Sequence, residues 1–183
     1  GHLFLARDRL GKKPLYYYRD DERFVFASEI KAIIADPSIQ RKMNSTAVVD
    51  YFAYNYVPGP STIYQDIHKL PAGHMMKVEP EKVCVQQYWD IRFSEPDHSK
   101  SIEQASGEFL DHLKEAVRFR LRSDVPLGAF LSGGIDSSLL CALYQTQNTK
   151  KINTFTIGFE NKSYNESVYA SRIAKHLNTN HSE

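Results

Sequence analysis

Seven consecutive residues, Ser132-Gly133-Gly134-Ile135-Asp136-Ser137-Ser138, constrain this chain more than any other stretch. Apolar Val125, Leu127, Ala129, Phe130 and Leu131 lead into them, and Leu139, Leu140, Ala142 and Leu143 follow at helix-like spacing. The order is strand, tight glycine turn, helix N-terminus. A helix start leaves four backbone N–H groups without intrahelical partners and carries about half a positive charge, so an anion docked there is held by hydrogen bonds and dipole together. Phosphate is the expected guest. Gly133 and Gly134 both allow positive φ and lack the Cβ that would hold a phosphate off, while Ser132, Ser137 and Ser138 add hydroxyl donors. Asp136 is the odd member. A carboxylate beside a phosphate repels it unless a cation lies between them, so Asp136 reads as a direct or indirect Mg2+ ligand.

Two other glycine motifs fail here. The Walker loop ends in Gly-Lys-Ser/Thr, and no lysine follows these glycines. The nucleophile elbow, Gly-x-Ser-x-Gly, needs a glycine where Phe130 stands. The run resembles instead the pyrophosphate-binding loop (PP-loop) of ATP-pyrophosphatases, which split ATP into AMP and pyrophosphate while adenylating a substrate. The flanks Ser123-Asp124-Val125-Pro126-Leu127-Gly128-Ala129-Phe130-Leu131 and Thr154-Phe155-Thr156-Ile157-Gly158-Phe159 are similar to the glutamine-hydrolysing asparagine synthetase family. Ala6-Arg7-Asp8-Arg9-Leu10-Gly11-Lys12-Lys13-Pro14-Leu15-Tyr16-Tyr17 and Phe26-Ala27-Ser28-Glu29-Ile30-Lys31-Ala32 resemble the later part of the class II glutaminase domain of the same enzymes.

The resemblance implies an α/β and α+β chain. Residues 1–93 are expected to be the C-terminal part of an Ntn-type glutaminase domain, 94–101 a linker, and 102–183 the start of a Rossmann-like parallel α/β ATP-pyrophosphatase domain. The family's N-terminal nucleophilic cysteine has no counterpart at Gly1, and only two parallel strands, Val125–Leu131 and Lys151–Phe159, are legible. The chain therefore reads as an internal fragment, with no glutaminase activity expected of it alone. Arg7, Asp8, Gly11 and Pro14 read as scaffold, and the role of Glu29 stays open. The implied enzyme is a ligase of amino-acid biosynthesis that converts aspartate to β-aspartyl-AMP with Mg·ATP and amidates it with ammonia from glutamine. ATP and Mg2+ are the implied cofactors. Ser132, Gly133, Gly134, Ser137 and Ser138 would hold phosphate, Asp136 would serve the metal, and the main chains near Phe130 and Ile157 would meet the adenosine. Alternatives are a relative that amidates another carboxylate, a nucleotide-binding piece without catalysis, and a serine hydrolase built on Ser132 with Glu160 or Glu166 and His181.

Composition sets broad limits. In 183 residues, 42% are hydrophobic and 25% charged, within the usual range for a globular protein. A net charge of +1 gives no general attraction to nucleic acid or membrane. No apolar run approaches the roughly 20 residues that span a bilayer. Cytoplasmic location with reduced thiols is the expectation, since Cys84 and Cys141 make neither a metal cluster nor a disulfide framework. A homodimer is the assembly the resemblance allows for.

Along the chain, His2–Ala6 and Phe24–Ala27 read as strands, Ser28–Ala35 and Thr46–Asn55 as helices, and His74–Val78 with Val83–Trp89 as a hairpin. Val48, Val49, Phe52 and Tyr56 recur at helical spacing. A long helix is expected from Ile102 to Arg122 with Phe109, Leu113, Ala116, Val117 and Leu121 toward the core, and another over 166–177. Val125–Leu131 should pair in parallel with Asn153–Phe159 across a right-handed crossover through helix 137–147, with loop 132–136 at the carboxyl edge. Cys141 reads as packing, His176 as a dipole partner rather than a metal ligand, and Arg118, Arg120 and Arg122 as a solvated face. Tyr16, Tyr17 and Tyr18 read as alternating strand aromatics.

Overall fold

The computed structural model describes residues 1–161 and 163–183. They divide into two compact units, Gly1–Ser94 and Glu95–Glu183. Among the described residues no helix is long and apolar enough to cross a membrane.

In the first unit, β1 (Leu3–Ala6), β5 (His74–Val78) and β6 (Val83–Gln87) form one antiparallel sheet with β5 in the middle. A second antiparallel sheet has β2 (Tyr16–Arg19) between β3 (Phe24–Ala27) and β4 (Ile67–Lys69). Strand alternation explains the layers. Tyr17 and Phe24 turn toward Leu5, Leu70 and Met76, all buried between the two sheets. Tyr16, Tyr18, Val25 and Ala27 turn the other way, against Ile33 of α1 (Ile30–Ile33), Ile39 and Ile67. The tyrosine run is thus strand packing, as its alternation requires.

The Arg7-Asp8 turn ties this unit together. Arg7 donates to the carbonyls of Lys13 (3.0 Å), Leu70 (2.7 Å) and Gly11 (2.8 Å). Asp8 accepts from the N–H groups of Lys12 (2.8 Å) and Lys13 (3.0 Å), which hold its carboxyl below the usual carboxylate range. Gly11 is in the left-handed region at φ +65°, where a side chain would be strained. These residues build a turn, and Glu29 pairs at the surface with Lys31 at 2.6 Å.

Helix α2 (Ser45–Tyr54) is capped by Asn44, whose side chain accepts from the Ala47 N–H at 3.2 Å. Its apolar spacing does not mark a buried face. Only Ala47 is buried, while Val49, Phe52 and Tyr56 are exposed along with Tyr51 and Tyr54. The helix over 28–35 shortens to α1, and the second hairpin strand stops at Gln87 because Tyr88 and Trp89 turn their N–H groups to the Gly73 carbonyl.

The second unit opens with α3 (Ile102–Arg120), started by a reciprocal capping box between Ser101 and Gln104. Val117 is buried, but Phe109 is 62% exposed and does not join the core expected of it. The order then runs β7 (Gly128–Phe130), α4 (Ile135–Thr146), β8 (Asn153–Phe155), α5 (Ser167–Leu177), β9 (Asn180–Ser182), and the three strands form a parallel sheet in the order β7-β8-β9. The parallel pairing matches the expectation, but the strands are shorter. Pro126 has no N–H to give a ladder, and Val125 is exposed, so β7 begins only at Gly128. A third parallel strand, β9, follows α5 where none was legible. Leu131, Cys141, Ile152, Ala170 and Ala174 form the core of this unit, and burial raises the Cys141 thiol pKa. Cys84 is exposed on β6.

Candidate nucleotide-phosphate site

Along residues 152–156, β8 and its flanks, the alternation puts two threonines inside. Ile152, Thr154 and Thr156 are buried, while Phe155 turns outward over Gly128, where a Cβ would lie 2.4 Å from its ring. The buried hydroxyls are satisfied: Thr154 bonds Thr179 (2.8 Å) and His181 Nδ1 (3.0 Å), and Thr156 donates to the Leu131 carbonyl. Leu131 returns its N–H to Phe155 at 2.9 Å and is 1% exposed. The chain therefore leaves β7 from a fixed point.

From there the turn is a small hydrogen-bonded ring. Ser132 Oγ lies 2.9 Å from Ser137 Oγ, the Ser132 N–H donates to Ser137 Oγ (3.3 Å), and the Gly134 N–H donates to Ser132 Oγ (3.3 Å). Ser137 and Ser138 both donate their hydroxyls to the Gly134 carbonyl, at 3.2 and 2.6 Å. Gly134 is the N-cap of α4 and offers no side-chain cap, so the helix presents its first N–H groups at the turn. Asp136 sits in that first turn and is exposed.

The two glycines differ from expectation. Gly133 has φ +85°, and a Cβ there would come within 2.7 Å of Tyr169 Cβ and 2.9 Å of the Ala170 nitrogen. Gly134 has φ −74°, an ordinary value for any residue, and a Cβ there would meet only Ser132 Oγ, at 3.4 Å. Positive φ is thus a requirement at Gly133 alone, and what its missing Cβ makes room for is the backbone of α5.

Beside the turn, Phe130, Leu131, Ser132, Phe155, Thr156, Ile157, Phe159, Tyr164 and Glu166 line a cleft of about 210 Å³ at the carboxyl ends of β7 and β8. Phe130 and Ile157, 76% and 66% exposed, meet there. Its walls are mostly apolar, with Ser132, Thr156, Tyr164 and Glu166 as the lining residues that carry polar groups. Thr156 and Tyr164 were not singled out by sequence reasoning, although the period-2 pairing of Thr154 with Thr156 was there to be read.

Among the described residues no three His, Cys, Asp or Glu side chains gather to hold a metal. Asp136 is thus a single carboxylate. That suits a hard cation whose other ligands are phosphate oxygens and water, the usual setting for magnesium. The hydrolase arrangement is not assembled: the Ser132 hydroxyl faces Ser137, while His181 bonds Thr154 through Nδ1 and leaves Nε2 buried without a partner among the described residues. Arg118 stacks on Phe119 at 4.8 Å and Arg120 donates to the Ala116 carbonyl at 3.0 Å, both at the exposed face of α3.

Residues 1–89 match the family model of the glutamine amidotransferase domain, and residues 108–183 that of asparagine synthase. The chain is 40% identical, over 99% of its length, to the Methanocaldococcus jannaschii protein named "putative asparagine synthetase (glutamine-hydrolyzing) 2", and covers 36% of that protein. Two Bacillus subtilis proteins, asparagine synthetase (glutamine-hydrolyzing) 3 and 1, are each 32% identical over 86% and 96% of this chain, which covers 26% and 27% of them. The chain thus spans about a third or less of the length of these relatives. With its strand, serine-glycine turn and helix set in the asparagine synthase match and its Arg7-Asp8 turn in the amidotransferase match, the chain belongs to the glutamine-hydrolysing asparagine synthetase family.

Proposed function

We propose that this chain is part of an enzyme that makes asparagine from aspartate, using ATP and ammonia drawn from glutamine. In this reading residues 1–93 are part of an Ntn-type glutaminase domain, 94–101 a linker, and 102–183 part of a Rossmann-like ATP-pyrophosphatase domain. The supporting observation is the turn Ser132–Ser138 at the carboxyl end of β7, opening a helix that has no side-chain cap.

The chemistry follows from that turn. A carboxylate is a poor acyl donor, and adenylation of aspartate gives it a leaving group that ammonia can displace. As ATP splits, charge builds on the departing pyrophosphate, where the uncapped N–H groups at the start of α4 would meet it and the hydroxyls of Ser132, Ser137 and Ser138 would turn out of their ring to join them. Gly134, with only Ser132 Oγ near its missing Cβ, would let the backbone come close to the ligand, while Gly133 supplies the positive φ that packs the turn on α5. Magnesium, when bound with ATP, supplies positive charge to the same oxygens, and Asp136 is the residue that would hold it. The apolar cleft of Phe130 and Ile157 would take the adenosine, its base between hydrophobic walls and its polar edge on main chain.

The product pattern of the full-length protein tests this reading. Aspartate, ATP and glutamine should give asparagine, AMP and pyrophosphate, and omission of aspartate should stop AMP formation. Release of ADP and phosphate, or AMP formation indifferent to aspartate, would reject it.

A further inference from the structure

We propose that Thr156 is a positioning residue that aims the backbone N–H of Ser132 into the phosphate turn. The proposal rests on the nucleotide reading above and adds to it a residue outside the turn. Leu131 C=O and Ser132 N–H belong to one planar peptide, so they point in opposite directions and cannot rotate independently. The Thr156 hydroxyl takes the carbonyl side of that plane. The N–H side is thereby turned into the serine ring, where it donates to Ser137 Oγ at 3.3 Å.

The hold is rigid at both ends. Thr156 is 9% exposed and its own N–H donates to the Ser182 carbonyl of β9 at 3.0 Å, while Leu131 is 1% exposed and bonded through its N–H to Phe155. This is where β7 stops, and a side chain, not a strand backbone, closes the final carbonyl. Without the hydroxyl, the buried carbonyl loses its donor and the peptide is free to turn in search of another. Thr154, two residues earlier on the same face, is a natural comparison. It is 0% exposed, lies opposite Ala129, and spends its hydroxyl on Thr179 and His181 rather than on the Leu131 carbonyl.

The test compares Thr156→Val, Thr156→Ser and Thr154→Val in the full-length protein by titration with Mg·ATP and with pyrophosphate, and by hydrogen exchange of the ligand-free segment 130–138. Thr156→Val should weaken both ligands by about tenfold and speed exchange in that segment, and Thr156→Ser should restore both to within about twofold of the parent. Thr154→Val should leave affinity within about twofold of the parent, which a merely structural role for both buried threonines would not allow. If Thr156→Val does not fold, Thr156→Ala stands in its place with the same contrast to serine. Equal binding and exchange in Thr156→Val and parent, or equal losses in Thr154→Val, would overturn the proposal. A parent that binds neither ligand would reject the nucleotide reading, and the exchange comparison would still decide the role of Thr156.

Discussion

Gly133 lies against Tyr169: a Cβ on the glycine would sit 2.7 Å from the tyrosine Cβ, closer than side-chain atoms approach one another. The turn at the end of β7 is thereby locked to the first turn of α5. Gly133→Ala must distort one or the other and also take up a φ of +85°. We expect a loss of about 2 kcal/mol or more in stability, and loss of ATP binding with it. Gly134→Ala, at φ −74° and in ordinary contact, should cost about 1 kcal/mol or less in stability. Thermal unfolding of the two variants checks the ranking.

Asp136→Asn keeps the shape of the first turn of α4 and removes its charge. Metal-dependent ATP binding should weaken, while weak binding of pyrophosphate without metal should hold or improve as repulsion is relieved. Calorimetric titration with and without magnesium separates the two effects. An equal loss in both would show that Asp136 serves the turn rather than a cation.

Ser137 is the hub of the ring, accepting from the Ser132 N–H and meeting both Ser132 Oγ and the Gly134 carbonyl. Ser137→Ala removes a hydroxyl donor to a charged phosphate and leaves the Ser132 N–H to find another acceptor. The expected loss is about 1.5–3 kcal/mol, roughly ten- to a hundredfold in ATP affinity. Equilibrium titration of the variant reads it directly.

In the first unit, Asp20 accepts from Arg23 Nε (2.9 Å), from the N–H groups of Glu22 and Arg23, and from the Tyr18 hydroxyl (3.0 Å). The Arg23 side chain is the main cause that brings its pKa from 3.8 down to about 2. A carboxyl whose pKa is lower folded than unfolded favours the folded state above the unfolded value and loses that contribution as pH falls through the folded one. Parent stability should therefore drop between pH 3.8 and about 2 by a component that Asp20→Asn lacks. Denaturant melts of both proteins across that window check the sign.

What the sequence made legible was whatever one residue or one short spacing decides. The strand-turn-helix around Ser132–Ser138 and the Phe24–Ala27 strand each follow from local chemistry, and the Arg7-Asp8 scaffold follows from the family resemblance. What it hid was set by partners distant along the chain. Asn180-His181-Ser182 has little strand propensity and becomes β9 because β8 offers it a parallel edge and Thr154 a partner for His181. The helical spacing of Val49, Phe52 and Tyr56 suggests a core face that the structure leaves exposed, since periodicity reports a common face and not what covers it. Within the site, Phe130, Ser132 and Ile157 do meet in one cleft. The division of labour between Gly133 and Gly134 depends on α5, and the Thr156 bond depends on strand register, neither of which a motif records.

The central claim is that the start of α4 receives the phosphates of ATP. A crystal structure of the full-length protein with AMP, pyrophosphate and magnesium tests it most directly. The account predicts pyrophosphate oxygens within hydrogen-bond distance of the backbone N–H groups that follow Gly134, with the Ser132–Ser137 hydroxyl pair opened toward them and AMP in the cleft of Phe130 and Ile157. Pyrophosphate bound elsewhere, with the serine ring intact at 2.9 Å, would contradict it.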